Sequence, residues 1–188
     1  MTSKIAVIFP GIGYHKNKPL LYHSAKLAAQ HGFKVKALEF SGFPQKLKGD
    51  REAMMKSFQI AIAQSEDQLK FIDFPAYDDV VFISKSIGTV AAAIYATKHE
   101  VPARQLYFTP LEQTFSLIQD GNGLVFHGTA DSWVDTEAVT AGCLEKHLTL
   151  KTVLGSNHSL ESDDVFANLQ DLLVIMEDVN RFLLNQEV

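Results

Sequence analysis

Apolar stretches with two different spacings alternate along the chain. Short continuous apolar runs, such as residues 4–9, are typical of strands that are buried on both faces of a sheet. The segments between them carry apolar residues at helical spacing. The pattern predicts six strands, at residues 4–9, 33–40, 79–84, 104–109, 123–127 and 149–154. It predicts helices at residues 19–31, 90–96, 136–147 and 163–184, and a short helix within 111–118. Another helix is predicted after Asp50, with apolar positions at Met54, Phe58, Ile62 and Leu69.

Residues at the predicted helix ends support several of these boundaries. Pro19 suits the first turn of a helix, Gly32 suits the position just past its end, and Asp50 suits the cap of the next helix. Asp163 and Asp164 complement the dipole at the start of the last helix. The apolar residues of that helix lie on one stripe, as in an amphipathic helix: Phe166, Leu169, Leu173, Met176, Val179 and Leu183.

Alternation of strands with helices favours a parallel, doubly wound sheet. We therefore predict an α/β fold, a three-layer α/β/α sandwich around a mostly parallel sheet of about six strands. The 188 residues are the length of one domain, and such a domain buries about 70% of its unfolded surface. Apolar content of 46% and charged content of 21% are ordinary for a globular protein. We expect residues 1–188 to form a single domain.

Charge and cysteine content argue against several classes of protein. The net charge is −5, without the basic stripe that a nucleic-acid surface needs. Cys143 is the only cysteine, so no internal disulfide forms, which fits a reducing compartment. The first apolar run is too short for a signal peptide, and no stretch approaches the roughly 18 apolar residues of a membrane span. We expect a cytoplasmic protein that binds no nucleic acid and inserts into no membrane. The sequence does not predict the oligomeric state.

The strand at residues 79–84 runs into the sequence SKSIG at 84–88 and then into an Ala-rich helix. A small residue, any residue, Ser, any residue and Gly at this junction form the pattern of a nucleophile elbow. In that elbow a strained turn raises the serine Oγ above the sheet edge. Ser84 and Gly88 are small, as the close passage of strand and helix requires, although Gly is usual at the first of these positions. By itself the motif also fits an ordinary strand-to-helix turn.

Two later loops carry an acid and a histidine. Residues 123–134, GLVFHGTADSWV, read as a strand followed by a loop that contains Asp131. The strand at 149–154 is followed by GSNHS, which contains His158. Ser86, Asp131 and His158 thus occur in this order, each directly after a predicted strand. Together the three motifs are far more specific than the serine motif alone.

On these motifs the chain resembles the α/β-hydrolase superfamily, whose chain order is Ser, then Asp or Glu, then His. The resemblance covers nearly the whole chain. It implies a minimal version of that fold, because six strands are predicted where larger members have eight. Only about a dozen residues, 110–120, join two strands where larger members often insert a lid. The resemblance therefore implies a small, lidless serine hydrolase of the esterase type with an open site.

The resemblance also implies the roles of the site residues. Ser86 would be the nucleophile, and His158 would remove its proton and later return it to the leaving group. Asp131 would fix the imidazole tautomer, with Asp135, four residues on, as the alternative. The expected reaction is hydrolysis of a small-molecule carboxylic ester or thioester through an acyl-enzyme. The acyl group and the leaving group stay open.

A developing oxyanion needs two backbone N–H donors. The resemblance implies that one donor is the N–H of Ile87, the residue after the nucleophile. The other would be the N–H of Ile12, in the loop PGIGY at 10–14. Relatives often have His-Gly at the start of this loop. The glycines of that loop also fit a plain tight turn. Three aromatic residues in loops at the same edge are candidates either for the substrate pocket or for the core: Tyr14, Phe43 and Trp133. Lys85 is a candidate to attract an anionic substrate or, alternatively, a solvated side chain.

Two other functions stay open. Gly11 and Gly13 after the first strand and Glu39 at the end of the second match part of a dinucleotide-binding fingerprint. However, Lys16 stands at the third glycine position, and Pro19 delays the helix. A non-catalytic binding protein on the hydrolase fold is the other alternative, because a fold does not fix a function. The seven histidines show no pairing at metal-ligand spacing, so we expect no metal and no cofactor.

Overall fold

A six-stranded sheet forms the centre of the computed structural model, which describes residues 2–118, 121 and 123–187. Its strands are β1 (Lys4–Phe9), β2 (Lys34–Ala37), β3 (Asp79–Lys85), β4 (Arg104–Phe108), β5 (Gly123–Gly128) and β6 (Thr149–Val153). They lie in the order β2-β1-β3-β4-β5-β6, and every neighbouring pair is parallel. Parallel neighbours need crossover connections, which helices supply here.

Helices cover both faces of the sheet. They are α1 (Pro19–Gln30), α2 (Arg51–Leu69), α3 (Ile87–Lys98), α4 (Glu112–Phe115), α5 (Thr136–Glu145) and α6 (Val165–Leu183), with a 3-10 helix at Phe74–Ala76. Residues of α1 and α6 pack in the core on one face, and residues of α2, α3 and α5 pack in the core on the other. The predicted three-layer α/β/α architecture is confirmed. None of the helices in the described ranges is long and apolar enough to cross a membrane.

The central strands are buried on both faces, as their continuous apolar sequences predict. In β1, Ile5, Val7 and Phe9 belong to one core, whereas Ala6 and Ile8 belong to the other. This alternation is the period of two that a strand imposes on its side chains.

Cys143 of α5 is a buried packing residue, and burial raises the pKa of its thiol to about 12.

The second strand is shorter than the predicted range of 33–40. It ends at Ala37, and two later backbone amides bond to glutamine side chains of α2 rather than continuing a strand. The amide of Glu39 donates to Gln68 Oε1 at 3.0 Å, and the amide of Ser41 donates to Gln64 Oε1 at 3.0 Å. The predicted length is therefore wrong, because side chains replace the ladder at this edge of the sheet.

The apolar stripe predicted for the last helix is wrong in its first half. Phe166, Leu169 and Leu173 are exposed, with Phe166 at 79%. The buried residues of α6 all lie in its second half, which packs in the same core as α1. There, His31 Nε2 and Asn180 Oδ1 are 2.6 Å apart. Residues of α6 are fully buried only in this half, so the spacing of apolar residues does not by itself identify the buried face.

Candidate active site

Ser86 forms the whole connection between β3 and α3. The strand ends at Lys85 and the helix begins at Ile87, so the chain reverses within one residue. The Ser86 backbone has φ 53° and ψ −121°, a conformation that costs a non-glycine residue of order 1–3 kcal/mol. Its amide donates to Phe108 O at 3.1 Å, which helps to hold the turn. Conformations of this kind cluster at functional sites, and this one lies at the turn where the sequence predicts the elbow.

Small side chains on both sides of Ser86 make this turn possible. A Cβ at Gly88 would overlap the carbonyl oxygens of Phe9 and Pro10, so α3 crosses β1 at a distance that only glycine permits. Ser84 is fully buried, and its hydroxyl donates to Leu106 O at 3.1 Å. Serine at this position therefore satisfies its hydroxyl within the sheet where the usual pattern has glycine.

A continuous chain of hydrogen-bonding atoms joins Ser86, His158 and Asp131. Ser86 Oγ lies 2.8 Å from His158 Nε2, and His158 Nδ1 lies 2.7 Å from Asp131 Oδ2. An ionised carboxylate only accepts, so the proton of neutral His158 belongs on Nδ1. Nε2 is then free to accept the proton of the Ser86 hydroxyl. The structure thus brings together the three side chains that the sequence singles out.

The two acidic candidates occupy different environments. The Asp131 side chain is fully buried, and its Oδ1 accepts from the Trp133 amide at 2.8 Å while Oδ2 faces His158. Asp135 is exposed and stands at the position before the first residue of α5. Asp131, and not Asp135, is therefore the carboxylate beside His158.

The surroundings keep His158 neutral and Asp131 ionised near neutral pH. Burial lowers the pKa of His158 below its ordinary value of 6.5, the hydrogen bond with Asp131 opposes this, and the charge of Lys85 lowers it further. Burial alone would raise the pKa of Asp131. However, hydrogen bonds from His158 and from the Trp133 amide outweigh it, so the pKa of Asp131 is lowered. The imidazole is thus in the form that can accept a proton.

The loop that carries His158 packs closely on the end of β5. A Cβ at Gly128 would overlap the carbonyl oxygens of Ser156 and Asn157, so glycine is needed at this crossing. The Ala130 amide donates to Ser156 O at 2.9 Å. Within the loop, Asn157 Oδ1 accepts from the amide of Ser159 at 2.7 Å. The loops of Asp131 and His158 are therefore fixed against each other.

A cavity of about 260 Å³ opens beside Ser86 and His158. Tyr14 and Trp133 both line it, and the Trp133 ring lies 5.8 Å from the His158 ring. Most of the other side chains that line it are apolar: Ile12, Leu47, Met54, Ile87 and Leu111. Phe43 does not line this cavity, because it packs edge-on against Phe40 at 6.3 Å and against the core.

The two predicted oxyanion donors border this same cavity. Ile87 is the first residue of α3, where a backbone N–H has no intrahelical acceptor. Ile12 lies inside a tight turn in which the backbones of Gly11 and Tyr14 bond to each other in both directions. A Cβ at Gly11 would stand 3.3 Å from Ser86 Cβ, so this turn rests against the elbow.

Lys85 is buried beside the candidate site. Its side chain is 1% exposed, so the solvated interpretation is wrong. Its ammonium points into the protein, where it donates to Thr109 Oγ1 at 2.6 Å and to the carbonyl oxygen of His158 at 2.7 Å. Lys85 also borders the cavity beside Ser86, so its role toward an anionic substrate stays a prediction.

The motifs of the sequence do not include two residues that lie near the site. Thr109, which directly follows β4, has φ 42° and donates its hydroxyl to His158 O at 3.1 Å. His127 in β5 is fully buried, with Nδ1 3.9 Å from Asp131 Oδ2 and Nε2 3.1 Å from Thr136 Oγ1. Burial lowers the pKa of His127, so it is neutral. The position of each at a strand end is the one available clue, because the carboxyl ends of parallel strands meet at one edge.

The dinucleotide alternative lacks its essential geometry. The α1 helix begins at Pro19, beyond the turn at Gly11 and Gly13, so the glycines do not open the helix as phosphate binding requires. Glu39, the candidate ribose ligand, pairs with Lys16 at 2.6 Å. This loop lies against Ser86 instead.

Comparison with protein-family models and with curated proteins finds no match to the sequence. Comparison with solved structures finds similar folds. Est1E from Butyrivibrio proteoclasticus, solved with ferulic acid bound, is 15% identical with a TM-score of 0.70, over 98% of this chain and 90% of that one. An alpha-beta serine hydrolase homologue from Coxiella burnetii is 18% identical with a TM-score of 0.69, over 96% and 85%.

A third similar structure is an a/b serine hydrolase without lid from Xanthomonas campestris. It is 17% identical with a TM-score of 0.64, over 98% of this chain and 83% of that one. At such identities the likeness concerns the fold, which extends over nearly the whole chain in each case. The fold predicted from the three motifs is confirmed, and the chain has the α/β-hydrolase fold.

Proposed function

We propose that the protein is a serine hydrolase that cleaves small-molecule carboxylic esters or thioesters with Ser86, His158 and Asp131 as its catalytic triad. One observation carries this proposal: Ser86 Oγ, on a strained turn beside a cavity, lies 2.8 Å from an imidazole that is itself 2.7 Å from a buried carboxylate. We further propose that residues 1–188 act as one domain without a lid, and that they act in the cytoplasm, where the thiol of Cys143 stays reduced.

In the first half of the reaction Ser86 Oγ attacks the carbonyl carbon of the substrate. His158 Nε2 takes the hydroxyl proton as the new C–O bond forms, and the carbonyl π electrons move onto the oxygen. Asp131 stabilises the resulting imidazolium through Nδ1–H without taking its proton. The tetrahedral intermediate then collapses, and the leaving alkoxide or thiolate takes the proton from Nε2. The acyl group remains on Ser86.

In the second half of the reaction water replaces the leaving group. His158 Nε2 takes a proton from water while the water oxygen attacks the acyl carbonyl carbon. Collapse of this second intermediate breaks the bond to Ser86 Oγ, which recovers its proton from the imidazolium. The carboxylic acid leaves and the starting enzyme is restored.

We assign the two oxyanion donors to the backbone amides of Ile87 and Ile12. Two arguments support this assignment. Both residues border the cavity beside Ser86. In addition, Ile87 begins a helix, where backbone N–H groups lack intrahelical acceptors and the helix dipole is positive. Each donor that is pre-set for the oxyanion typically contributes about 3 kcal/mol to lowering the barrier.

The lining of the cavity supports an uncharged, apolar acyl group as the substrate class. Ile12, Met54 and Leu111 contribute aliphatic surface, and Trp133 contributes an aromatic wall that is 39% exposed. The ammonium of Lys85 directs two of its three donors to Thr109 Oγ1 and His158 O, which lie within the protein. Burying an unpaired carboxylate in such a cavity would be strongly unfavourable.

The direct test is hydrolysis of p-nitrophenyl esters and of acyl thioesters with acyl chains from acetyl to octanoyl. Wild type should hydrolyse uncharged acyl esters, and Ser86→Ala should not. Hydrolysis that survives unchanged in Ser86→Ala would refute the assigned nucleophile.

The pH dependence of kcat/KM should reflect the lowered pKa of His158. A protonated imidazole cannot accept the Ser86 proton, so kcat/KM should fall as the pH drops through that pKa. Because burial and Lys85 lower the pKa, we expect the midpoint of this acid limb below pH 6.5. A series of initial rates at low substrate between pH 4 and 9 measures it. A midpoint above 6.5 would contradict the assigned environment of the base.

Enlarging Met54 should shorten the acyl chains that the enzyme accepts. Met54 lines the cavity, and the neighbouring Met55 is exposed, so Met55→Trp is a matched control. In Met54→Trp we expect the ratio of kcat/KM for octanoyl to that for acetyl esters to fall by about 10-fold or more, because each methylene excluded from an apolar pocket costs 1–3 kcal/mol. In Met55→Trp the ratio should not change. Equal ratios in both variants would show that the acyl chain binds elsewhere.

A further inference from the structure

Lys85 is a fully buried lysine that forms no ion pair with any described residue. It is among the largest completely buried side chains of the protein. Lysine is almost never fully buried unless a partner compensates its charge, because the ammonium loses its hydration. In a simple buried salt bridge a carboxylate would lie within ion-pair distance of the ammonium. Among residues 2–118, 121 and 123–187, no carboxylate lies that close to Lys85. The burial of Lys85, one residue before Ser86, must therefore be explained by contacts other than an ion pair.

The contacts of Lys85 converge on the main chain of His158. The ammonium donates to Thr109 Oγ1 at 2.6 Å and to His158 O at 2.7 Å, and it lies 5.1 Å from the centre of the Tyr14 ring. The Thr109 hydroxyl accepts from Lys85 and donates to His158 O at 3.1 Å. One carbonyl oxygen thus receives two hydrogen bonds from side chains that stand at the ends of two different strands.

This closed triangle of contacts connects three separate parts of the sheet edge. Lys85 is the last residue of β3, Thr109 directly follows β4, and His158 belongs to the loop after β6. The Thr109 amide donates to Phe126 O at 2.7 Å, so Thr109 is itself fixed to β5. The backbone of His158 is therefore tied to the same sheet edge that positions Ser86.

We propose that Lys85 is a positioning residue for the proposed reaction: with Thr109 it holds the main-chain carbonyl of His158, so that the imidazole stays directed at Ser86 Oγ. The proposal rests on the proposed function for its catalytic meaning. Lys85 itself touches neither Asp131 nor the reacting oxygen by any hydrogen bond of the structure, so it acts through His158.

The charge of Lys85 adds a second, measurable effect on His158. Burial lowers the pKa of Lys85 to about 7, and the charges of Asp131 and Glu161 oppose that shift. The groups that face His158 are Asp131, which raises its pKa, and Lys85 and His127, which lower it. Lys85 gains its proton as the pH falls through about 7, and the lowered pKa of His158 lies below 6.5. Removing its charge should therefore raise the pKa of His158.

Two variants separate the hydrogen bonds from the charge. Lys85→Met keeps a long apolar side chain but removes both, whereas Lys85→Gln keeps an amide that can donate two hydrogen bonds. The matched control is Lys26→Met, because Lys26 is also placed over a tyrosine ring, that of Tyr22, at 5.5 Å, but is exposed on α1. Circular dichroism checks that each variant is folded.

The first readout is the titration of the His158 imidazole by NMR. Its signal is assigned among the seven histidines by its loss in His158→Ala. The midpoint should move to higher pH in Lys85→Met and Lys85→Gln and should stay at the wild-type value in Lys26→Met. This readout needs no substrate. If wild type hydrolysed no ester, the proposed function would fail, while the titration would still decide whether Lys85 acts on His158.

The second readout is turnover at saturating substrate. We expect kcat of Lys85→Met to fall by about 10- to 100-fold with little change in KM, because a small displacement of the base is costly. Lys85→Gln should recover much of the lost kcat while keeping the shifted imidazole titration. A Lys85→Met protein that merely melts at a lower temperature, with the titration and kcat of wild type, would overturn the proposal.

Discussion

Replacing Ser86 with alanine is expected to lower kcat for ester hydrolysis by about 10⁶-fold, because the hydroxyl that forms the acyl-enzyme is lost. His158→Ala should lose about as much, since the hydroxyl without its base is a poor nucleophile at neutral pH. The double variant Ser86→Ala, His158→Ala should be no worse than either single one. The two residues act as a unit, and removing either removes the function of both.

The neighbouring Ser84 provides the control for this prediction. It lies two residues before Ser86, in β3, and its hydroxyl donates to Leu106 O inside the sheet. Ser84→Gly, which restores the usual pattern of the elbow, should turn over substrate at a rate near that of wild type. Additive losses in the double variant, or an equal loss in Ser84→Gly, would mean that Ser86 and His158 do not act together as proposed.

Replacing Asp131 with asparagine is expected to lower kcat by about 10⁴-fold. The amide is nearly isosteric, but its NH₂ group can donate to His158 Nδ1, which favours the tautomer with the proton on Nε2. That tautomer cannot accept the proton of Ser86. The buried imidazolium would also lose the carboxylate that stabilises it. Steady-state kinetics at pH 8 with the best ester of the series measures the loss.

Asp135→Asn is the matched control, because this exposed carboxylate lies four residues further on in the same connection. We expect its kcat to equal that of wild type. If Asp135→Asn were inactive and Asp131→Asn active, the carboxylate role would belong to Asp135, and the hydrogen bond between Asp131 and His158 would have no catalytic part.

The sequence predicts most of the fold because local pattern and burial agree. The strand at Lys4–Phe9 is apolar throughout, and a strand of a parallel sheet covered on both faces must be so. The two errors arise where local pattern does not decide. The second strand ends early because two glutamines of a distant helix bind its backbone. The apolar spacing of Val165–Leu183 does not show that the buried residues lie only in the second half of this helix.

The three side chains of the proposed triad are predictable because each stands in a loop directly after a strand. The carboxyl ends of parallel strands meet at one edge, so order along the chain becomes proximity in space. The surroundings of these side chains are not predictable in this way. Lys85 follows an apolar run and looks like the start of a solvated loop, yet its partners Thr109 and His158 are 24 and 73 residues away along the chain. Contacts between residues so far apart in the sequence depend on tertiary packing rather than on local pattern.

The central claim is that Ser86 is an activated nucleophile, and intact-mass measurement after reaction with a fluorophosphonate tests it most directly. The folded protein should gain one adduct, whereas Ser86→Ala and heat-unfolded wild type should gain none. Such a result would show that reactivity requires both this serine and the fold that sets it beside His158. A well-folded wild-type protein that gains no adduct, or a Ser86→Ala protein that gains one, would contradict the account.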